Sequence, residues 1–168
     1  AKLFNQWLKS DQLKEPIAQL HTERLSLEEL MKPVYQQASA YNRGSNILMQ
    51  PVPNLSLNVD RSLLEIAILN LIDNACKYSP SNGKIEISFM PQESKVGIII
   101  SYNGTGIPVE KQNEIFKPYV RISEDAAKPG FGLGLAFVSH IAELHNGNVE
   151  VHSQPGVGSD FSLWIPCL

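Results

Sequence analysis

Apolar residues recur along this chain with two periods, and the switches between them predict its elements. Leu3, Phe4, Trp7 and Leu8 fall at helical spacing and are followed by a looser polar stretch containing Pro16. Ser26-Leu27-Glu28-Glu29 reads as a capping box, in which the Ser and Glu side chains satisfy each other's backbone N–H groups. Leu27, Leu30, Met31, Val34, Ala38 and Tyr41 then carry the stripe of a helix that stops at Asn42-Arg43-Gly44, and Pro33 inside it predicts a bend or an early break. Ile47 to Met49 and the alternating Leu55 to Val59 read as two strands joined through Pro51-Val52-Pro53-Asn54. Asp60 is the expected N-cap of a long helix that runs to Tyr78.

Beyond the turn cluster Ser79-Pro80-Ser81-Asn82-Gly83, Ile85, Ile87 and Phe89 alternate with polar residues as a strand. Val96 to Ser101 is a second, largely β-branched run, and the short Met90 to Lys95 connection predicts an antiparallel hairpin. A short helix is expected from Val109 to Phe116, then a polar piece from Ser123 to Lys128 within a mobile loop. Leu133 to Leu144 reads as a helix ended by Asn146-Gly147, and two last strands flank Gly156-Val157-Gly158. This order predicts an α+β fold: a two-layer α/β sandwich with a mixed, mostly antiparallel sheet and helices on one face.

The long helix carries the first candidate chemistry. Side chains three or four apart share a helical face, so Asn70, Asn74 and Lys77 form one polar stripe while Leu63, Ile66, Ala67 and Leu71 point elsewhere. The plain reading is a solvated face. The sharper one is a metal–phosphate cluster, because amide oxygens are hard ligands suited to Mg²⁺ and a lysine is a mobile point charge for phosphate. Three glycine clusters follow: Gly104-Thr105-Gly106, then Gly130-Phe131-Gly132-Leu133-Gly134-Leu135, then Gly156-Val157-Gly158-Ser159. The middle cluster opens directly into a helix, whose free N–H groups suit a phosphate chain. It is neither a dinucleotide fingerprint, since no βαβ unit surrounds it, nor a P-loop, since no Gly-Lys-Ser/Thr ends it.

Composition narrows the classes. A chain of 168 residues with 43% hydrophobic content suits one compact domain with a short appendage. A formal net charge of -3 gives no electrostatic footprint for nucleic acid. Cys76 and Cys167 form no CxxC or Cys/His cluster, so neither a zinc site nor a disulfide framework is expected, and a reducing, cytoplasmic setting fits. No apolar run approaches the roughly 18 residues of a membrane span, and no signal peptide opens the chain, so no membrane contact by this fragment is expected.

From about Ser26 to Pro166 the motifs, in this order, resemble the catalytic, ATP-binding domain of bacterial two-component sensor histidine kinases. That domain belongs to the superfamily that also holds gyrase-type ATPases, MutL-like proteins and heat-shock chaperones, and its fold is the Bergerat or GHKL ATP-binding fold. Asn70 to Tyr78 resembles the N box and Asn103 to Pro108 the first glycine box. Ile115-Phe116-Lys117-Pro118-Tyr119-Val120-Arg121 is similar to the F box, Gly130 to Leu135 to the second glycine box, and Gly156 to Phe161 to the third glycine motif.

The resemblance implies ATP and Mg²⁺ as cofactors and assigns roles. Asn74, with Asn70, would sit at the metal; Lys77 would reach a phosphate; and Tyr78 would lie along the nucleotide. Gly104 and Gly106 would let the backbone approach the adenine. Gly130, Gly132 and Gly134 would admit the phosphates, Ser159 would stand near the base, and Tyr102, Ile107, Leu133 and Leu135 complete the expected cofactor-binding set. Residues from about 107 to 130 would form the ATP lid, with Lys117 and Arg121 helping to neutralise the terminal phosphoryl group, so the expected catalytic set is Asn70, Lys77 and Arg121.

Two positions discriminate among functions. Hydrolytic members of the superfamily carry a water-activating Glu one turn before the metal Asn, whereas Asn70 there cannot accept a proton at neutral pH, which favours transfer to a protein acceptor. The family opens its first glycine box with an Asp that accepts from the adenine amine, whereas the phase of Val96, Ile98 and Ile100 puts Tyr102 there. A phenol is bulkier and a poorer acceptor. The alternative is therefore a degenerate domain with weak or no ATP binding that works as a regulatory, protein-binding module.

None of His21, His140, His145 and His152 has the context of the family's acceptor histidine. His21 is expected in a linker, His140 and His145 at the ends of the last helix, and His152 in a strand, all with structural or surface roles. The resemblance implies that residues 1–24 are a linker and the remnant of a dimerisation helix, and that residues 25–168 are the catalytic domain. The partners would be a separate dimerisation and phosphoacceptor domain and, indirectly, a response regulator. The fragment would be monomeric, the parent a homodimer and possible inner-membrane sensor.

Overall fold

The structure, a computed structural model, describes residues 19–41, 46–121 and 134–168, the side chain of Tyr41 excepted. The expectations for Leu3 to Leu8, for the stop at Asn42-Arg43-Gly44 and for Ser123 to Lys128 lie outside these residues.

The capping box forms as expected. Ser26 N–H donates to Glu29 Oε2 at 2.8 Å, and Glu29 N–H donates to Ser26 Oγ at 3.0 Å. The helix they start, α1 (Leu27–Tyr41), runs on past Pro33, so the early break does not occur. Proline forfeits one backbone bond and costs on the order of 3 kcal/mol, but Leu27, Leu30, Met31 and Val34 on the same helix are fully buried, each contributing about 1.5–3 kcal/mol.

The two strands flanking Pro51 to Asn54 separate into different sheets. β1 (Glu23–Ser26) pairs antiparallel with β3 (Ser56–Val59) in a two-stranded ribbon. β2 (Asn46–Met49) pairs in parallel with β4 (Lys84–Pro91). Gln50 N–H still reaches Ile87 O at 2.8 Å, after which Pro51 and Pro53, lacking N–H donors, release the chain from the ladder. β1 has a single buried residue, Leu25, and its hydrophobic pattern gives no signal.

The main sheet has the order β2-β4-β5-β7-β6, with β5 (Lys95–Asn103), β6 (Asn148–Gln154) and β7 (Gly158–Pro166). The hairpin β4–β5 and the pairs β5–β7 and β6–β7 are antiparallel, so the sheet is mixed and mostly antiparallel. Ile85, Ile87, Ile98, Ile100, Phe161 and Leu163 are buried in one core with the apolar faces of α1, α2 (Arg61–Tyr78) and α4 (Gly134–Leu144). By alternation the other sheet face carries Lys84, Glu86, Ser101, Asp160 and His152.

α3 (Val109–Gln112) is shorter than the stretch expected through Phe116. Lys111 O accepts from both Glu114 N–H (2.9 Å) and Ile115 N–H (3.0 Å), tightening the chain into turns, and Pro118 disfavours helical geometry at Lys117. α4 ends as expected: Asn146 takes φ +59, and Gly147 N–H returns to Ala142 O at 2.8 Å. His140 lies inside α4 rather than at its end.

Asp60 ties these layers together. Its Oδ1 accepts from Leu63 N–H (3.2 Å) and its Oδ2 from His21 N–H (2.9 Å). Its own N–H donates to Nε2 of buried His145 at 3.0 Å, and His145 Nδ1 lies 2.7 Å from Ile141 O. An imidazole that accepts at Nε2 and meets a carbonyl at Nδ1 is neutral, with its proton on Nδ1. Replacing Asp60 by alanine removes a helix cap and leaves the His21 amide without its acceptor. Asp60→Ala should therefore lower unfolding free energy by about 2–3 kcal/mol in a urea titration, whereas a loss below about 0.5 kcal/mol would show that the tie carries little.

Candidate functional site

The site is built on the outward edge of α2. Leu63, Leu64, Ala67, Ile68, Leu71, Ile72 and Ala75 bury one face, which turns Asn70, Asn74 and Lys77 toward the rim, all half-buried. Asn70 Nδ2 donates back to Ile66 O at 3.0 Å, which leaves its Oδ1 as the outward acceptor. A Cβ added at Gly134 would lie 3.3 Å from that oxygen, so the first residue of α4 faces the Asn70 amide across a narrow gap. The Asn74 side chain has no partner among the described residues. Lys77 Nζ lies 3.2 Å from Asp73 Oδ2, an exposed i,i+4 pair of the kind worth about 0.3–0.5 kcal/mol, which a phosphate could displace.

The end of β5 passes close to the end of α2. A Cβ at Gly104 would lie 2.6 Å from Tyr78 O, and Gly106 at φ +71 presses on the Gln154 carbonyl, so both positions require glycine. The side chains of Ile107 and Leu135 belong to the hydrophobic core, which leaves only their backbones for a ligand. Lys117 is exposed with Nζ 3.6 Å from Glu114 Oε1, and Arg121 is half-buried at the end of this segment. Gly130, Gly132 and Leu133 lie outside the described residues.

Tyr102 points inward, as its strand phase predicts, and is 5% exposed. Its ring stacks on Phe161 (centroids 6.4 Å apart, planes at 7°), and Phe116 meets Phe161 edge-on at 6.3 Å. Opposite it on β7 stands Ser159, whose Oγ lies 2.8 Å from Ser153 Oγ. These three residues stand directly opposite one another on β5, β7 and β6. Ser153 Oγ also donates to Gly158 O (3.0 Å) and accepts from Ile107 N–H (2.7 Å). Gln112 Nε2 donates to Ile107 O and Ser153 O, both at 3.0 Å.

Ser153 and Gln112 are absent from the set expected from the sequence. Ser153 had a legible signal: Val149 and Val151 place it at the inward phase of β6, where a hydroxyl needs a partner. Gln112, in a one-turn helix, had none.

Chemically, two amide oxygens one turn apart and an exchangeable lysine fit a hard divalent cation with phosphate oxygens, and the Asn70 amide is already turned outward for it. The base end fits less well, since the inward position offers a neutral phenol. Burial pushes the Tyr102 pKa up to about 12, with the Ser159 hydrogen bond opposing and the neighbouring Tyr78 adding to the rise. A separate cavity of about 570 Å³ lies on the opposite, polar side of the sheet, with Lys84, Glu86, Asn103, His152 and Asp160 in its lining. It does not contain the Asn70–Lys77 stripe. Among the described residues no group of His, Cys, Asp and Glu could hold a metal, and no helix is long and apolar enough to cross a membrane.

The class follows from this arrangement and from sequence. The family described as histidine kinase-, DNA gyrase B- and HSP90-like ATPase matches residues 59–168, and the chain belongs to it. Within that family the chain is 44% identical over 108 residues to the adaptive-response sensory kinase SasA of Thermosynechococcus vestitus, a match that covers 64% of this chain and 28% of that protein. The mycobacterial sensor histidine kinase MprB aligns with a TM-score of 0.76 at 25% identity, covering 88% of this chain and 98% of that structure. Full-length ShkA in complex with AMPPNP aligns with a TM-score of 0.75 at 25% identity, covering 89% and 32%. The fold is thus that of the ATP-binding catalytic domain of sensor histidine kinases. The chain spans 28% of one curated relative's length and 40% of another's.

Tyr102 gives this end of the sheet a pH signature. A phenol whose folded-state pKa lies above its unfolded value stabilises the fold fully below about pH 10, and that contribution is lost as pH rises through about 12. Stability should therefore fall more steeply between pH 10 and 12 in the original protein than in Tyr102→Phe. Parallel curves for the two proteins would contradict the assignment.

Proposed function

We propose that this chain binds MgATP between α2 and α4 and presents the γ-phosphoryl group to a histidine on a separate helical domain, as the catalytic domain of a protein histidine kinase in two-component signalling. The observation that carries the reading is the Asn70–Asn74 pair on successive turns, with the outward amide oxygen of Asn70 facing Gly134. Asn74 and Asn70 would hold Mg²⁺, which supplies charge neutralisation at the phosphates. Lys77 would exchange Asp73 for a phosphate oxygen, and Lys117 and Arg121 would approach the terminal phosphoryl group from the lid. No carboxylate stands at position 70 to activate water, so the site favours transfer over hydrolysis. Catalysis is then mainly positioning and charge stabilisation.

The partners in this reading are the dimerisation and phosphoacceptor domain of a homodimeric parent and, through it, a response regulator, with the domain working in the cytoplasm. One observation favours a second reading. The buried phenol of Tyr102, stacked on Phe161 at the expected adenine end, would suit a degenerate domain that binds nucleotide poorly and regulates by protein contact.

Two substitutions separate these readings. Asn74→Ala should abolish Mg²⁺-dependent nucleotide binding in calorimetry with the fold intact by circular dichroism, and unchanged metal dependence would sink the assignment. Tyr102→Asp should strengthen ATP binding by about 1–3 kcal/mol, the scale of a buried polar group regaining its partner, while GTP, with a carbonyl in place of the amine, gains nothing. If the original chain binds no MgATP and Tyr102→Asp restores it, the second reading holds for the chain as it stands.

A further inference from the structure

Ser153 joins the inward serine pair to the segment leading out of the first glycine box. Its side chain donates to Gly158 O at 3.0 Å, so its single proton is spent, and its contact of 2.8 Å with Ser159 Oγ must then be one that it accepts. Ser159 has then spent its own proton on Ser153. The serine pair therefore has one polarity, from Ser159 through Ser153 to the Gly158 carbonyl. Ser153 Oγ also accepts from Ile107 N–H at 2.7 Å, and its backbone carbonyl accepts from Gln112 Nε2 at 3.0 Å. Gln112 closes the loop by donating to Ile107 O at 3.0 Å.

The same two regions meet again through apolar contacts. Tyr102 stacks on Phe161, and Phe116, four residues beyond Gln112, packs edge-on against the same ring. Strands β6 and β7 and residues 107–116 are thus coupled twice, through Ser153 on one side and the rings of Phe161 and Phe116 on the other.

We propose that Ser153 is a positioning residue of the nucleotide site: it pins the backbone of Ile107 to the edge strand β6, so that the start of the 107–121 segment holds one arrangement beside the buried Tyr102. The proposal rests on the MgATP reading above for its ligand and on the hydrogen bonds alone for the anchoring. It makes the edge strand, which carries none of the motif side chains at the metal end, part of how the site is shaped.

The test combines hydrogen exchange, which needs no ligand, with calorimetry using MgATP, on Ser153→Ala, Ser153→Thr and Gln112→Ala. In the ligand-free Ser153→Ala protein the Ile107 amide should exchange about tenfold faster while the amides of α2 and β5 keep their original rates, and MgATP should bind about five- to twentyfold more weakly, as the loss of a buried hydrogen-bonded partner implies. Ser153→Thr, which keeps the hydroxyl, should recover both properties, whereas a residue that merely fills space would not distinguish alanine from threonine. Gln112→Ala removes the second tie on a partly exposed side chain and should also speed exchange at Ile107, so the anchoring stays testable if Ser153→Ala does not fold. Equal Ile107 exchange in the original and Ser153→Ala proteins, unchanged MgATP affinity in Ser153→Ala, or failure of threonine to rescue would each overturn the proposal. No MgATP binding by the original chain would overturn the functional reading instead, and the exchange comparison would still decide the anchoring.

Discussion

The position of the polar groups on α2 depends on how that helix is rotated about its axis. A helix turns about 100° per residue, so a slip of one residue against the core would swing Asn70, Asn74 and Lys77 from the rim into the core or toward solvent. The buried apolar face of α2 sets that rotation, and Asp60 ties down its first turn. Its carboxylate receives the amides of Leu63 and His21, and its own amide is received by His145 at the far end of α4. The start of α2 and the end of α4 are thereby fixed to each other, and at the other end of α4 Gly134 faces Asn70 in the middle of α2. A polar node that is itself 7% exposed thus helps to set the geometry of a site some three helical turns away.

The hydrophobic pattern carried most of this architecture. The capping box, the Asp60 cap, the β4–β5 hairpin and the Asn146-Gly147 stop are local signals, each decided by residues within a few positions, and each appears in the fold. What escaped were features decided by distant partners. β1 is a strand because β3 offers it a ladder, and α1 survives Pro33 because the core on its apolar side outweighs one lost bond. Likewise the separation of β2 from β3 depends on β4, which lies across the sheet from anything the local sequence can reach. In the candidate site, the stripe on α2 and the inward phase of Tyr102 follow from periodicity, while the Ser153–Gln112 ties join residues 41 positions apart and have no periodicity to reveal them.

The sheet itself changes character along its strands. In its middle the inward positions are Ile87, Ile98, Ile100, Phe161 and Leu163, but at the end nearest the glycine boxes they become Tyr102, Ser159 and Ser153. Hydroxyls on an inward face would destabilise a core if each lacked a partner. Here Ser159 spends its proton on Ser153, and Ser153 reaches a backbone carbonyl, so the serine pair is satisfied without water. Its cost is conformational: the two hydroxyls are free to bond only while β6, β7 and Ile107 keep their present spacing. A polar row of this kind makes the mouth of a groove stiffer than an apolar one of the same size.

Charge sets the last constraint. The chain is net negative by three, and the groove rim offers two neutral amides and a lysine already engaged by Asp73. Such a surface has no standing field that would draw a polyanion out of water, in contrast to a site lined by several unpaired cations. Under the MgATP reading the missing positive charge must come with the ligand, which is what neutral amide ligands accommodate. They can hold a metal without adding charge of their own, so in that reading the pair of Asn70 and Asn74 would bind a partly neutralised phosphate chain rather than a bare one. Lys77 can then move to phosphate at little cost, because the exposed bond it gives up is weak. The same logic explains why a carboxylate at position 70 would change the chemistry and not only the affinity: it would add a base beside the terminal phosphate, where an amide can orient a group but cannot take its proton.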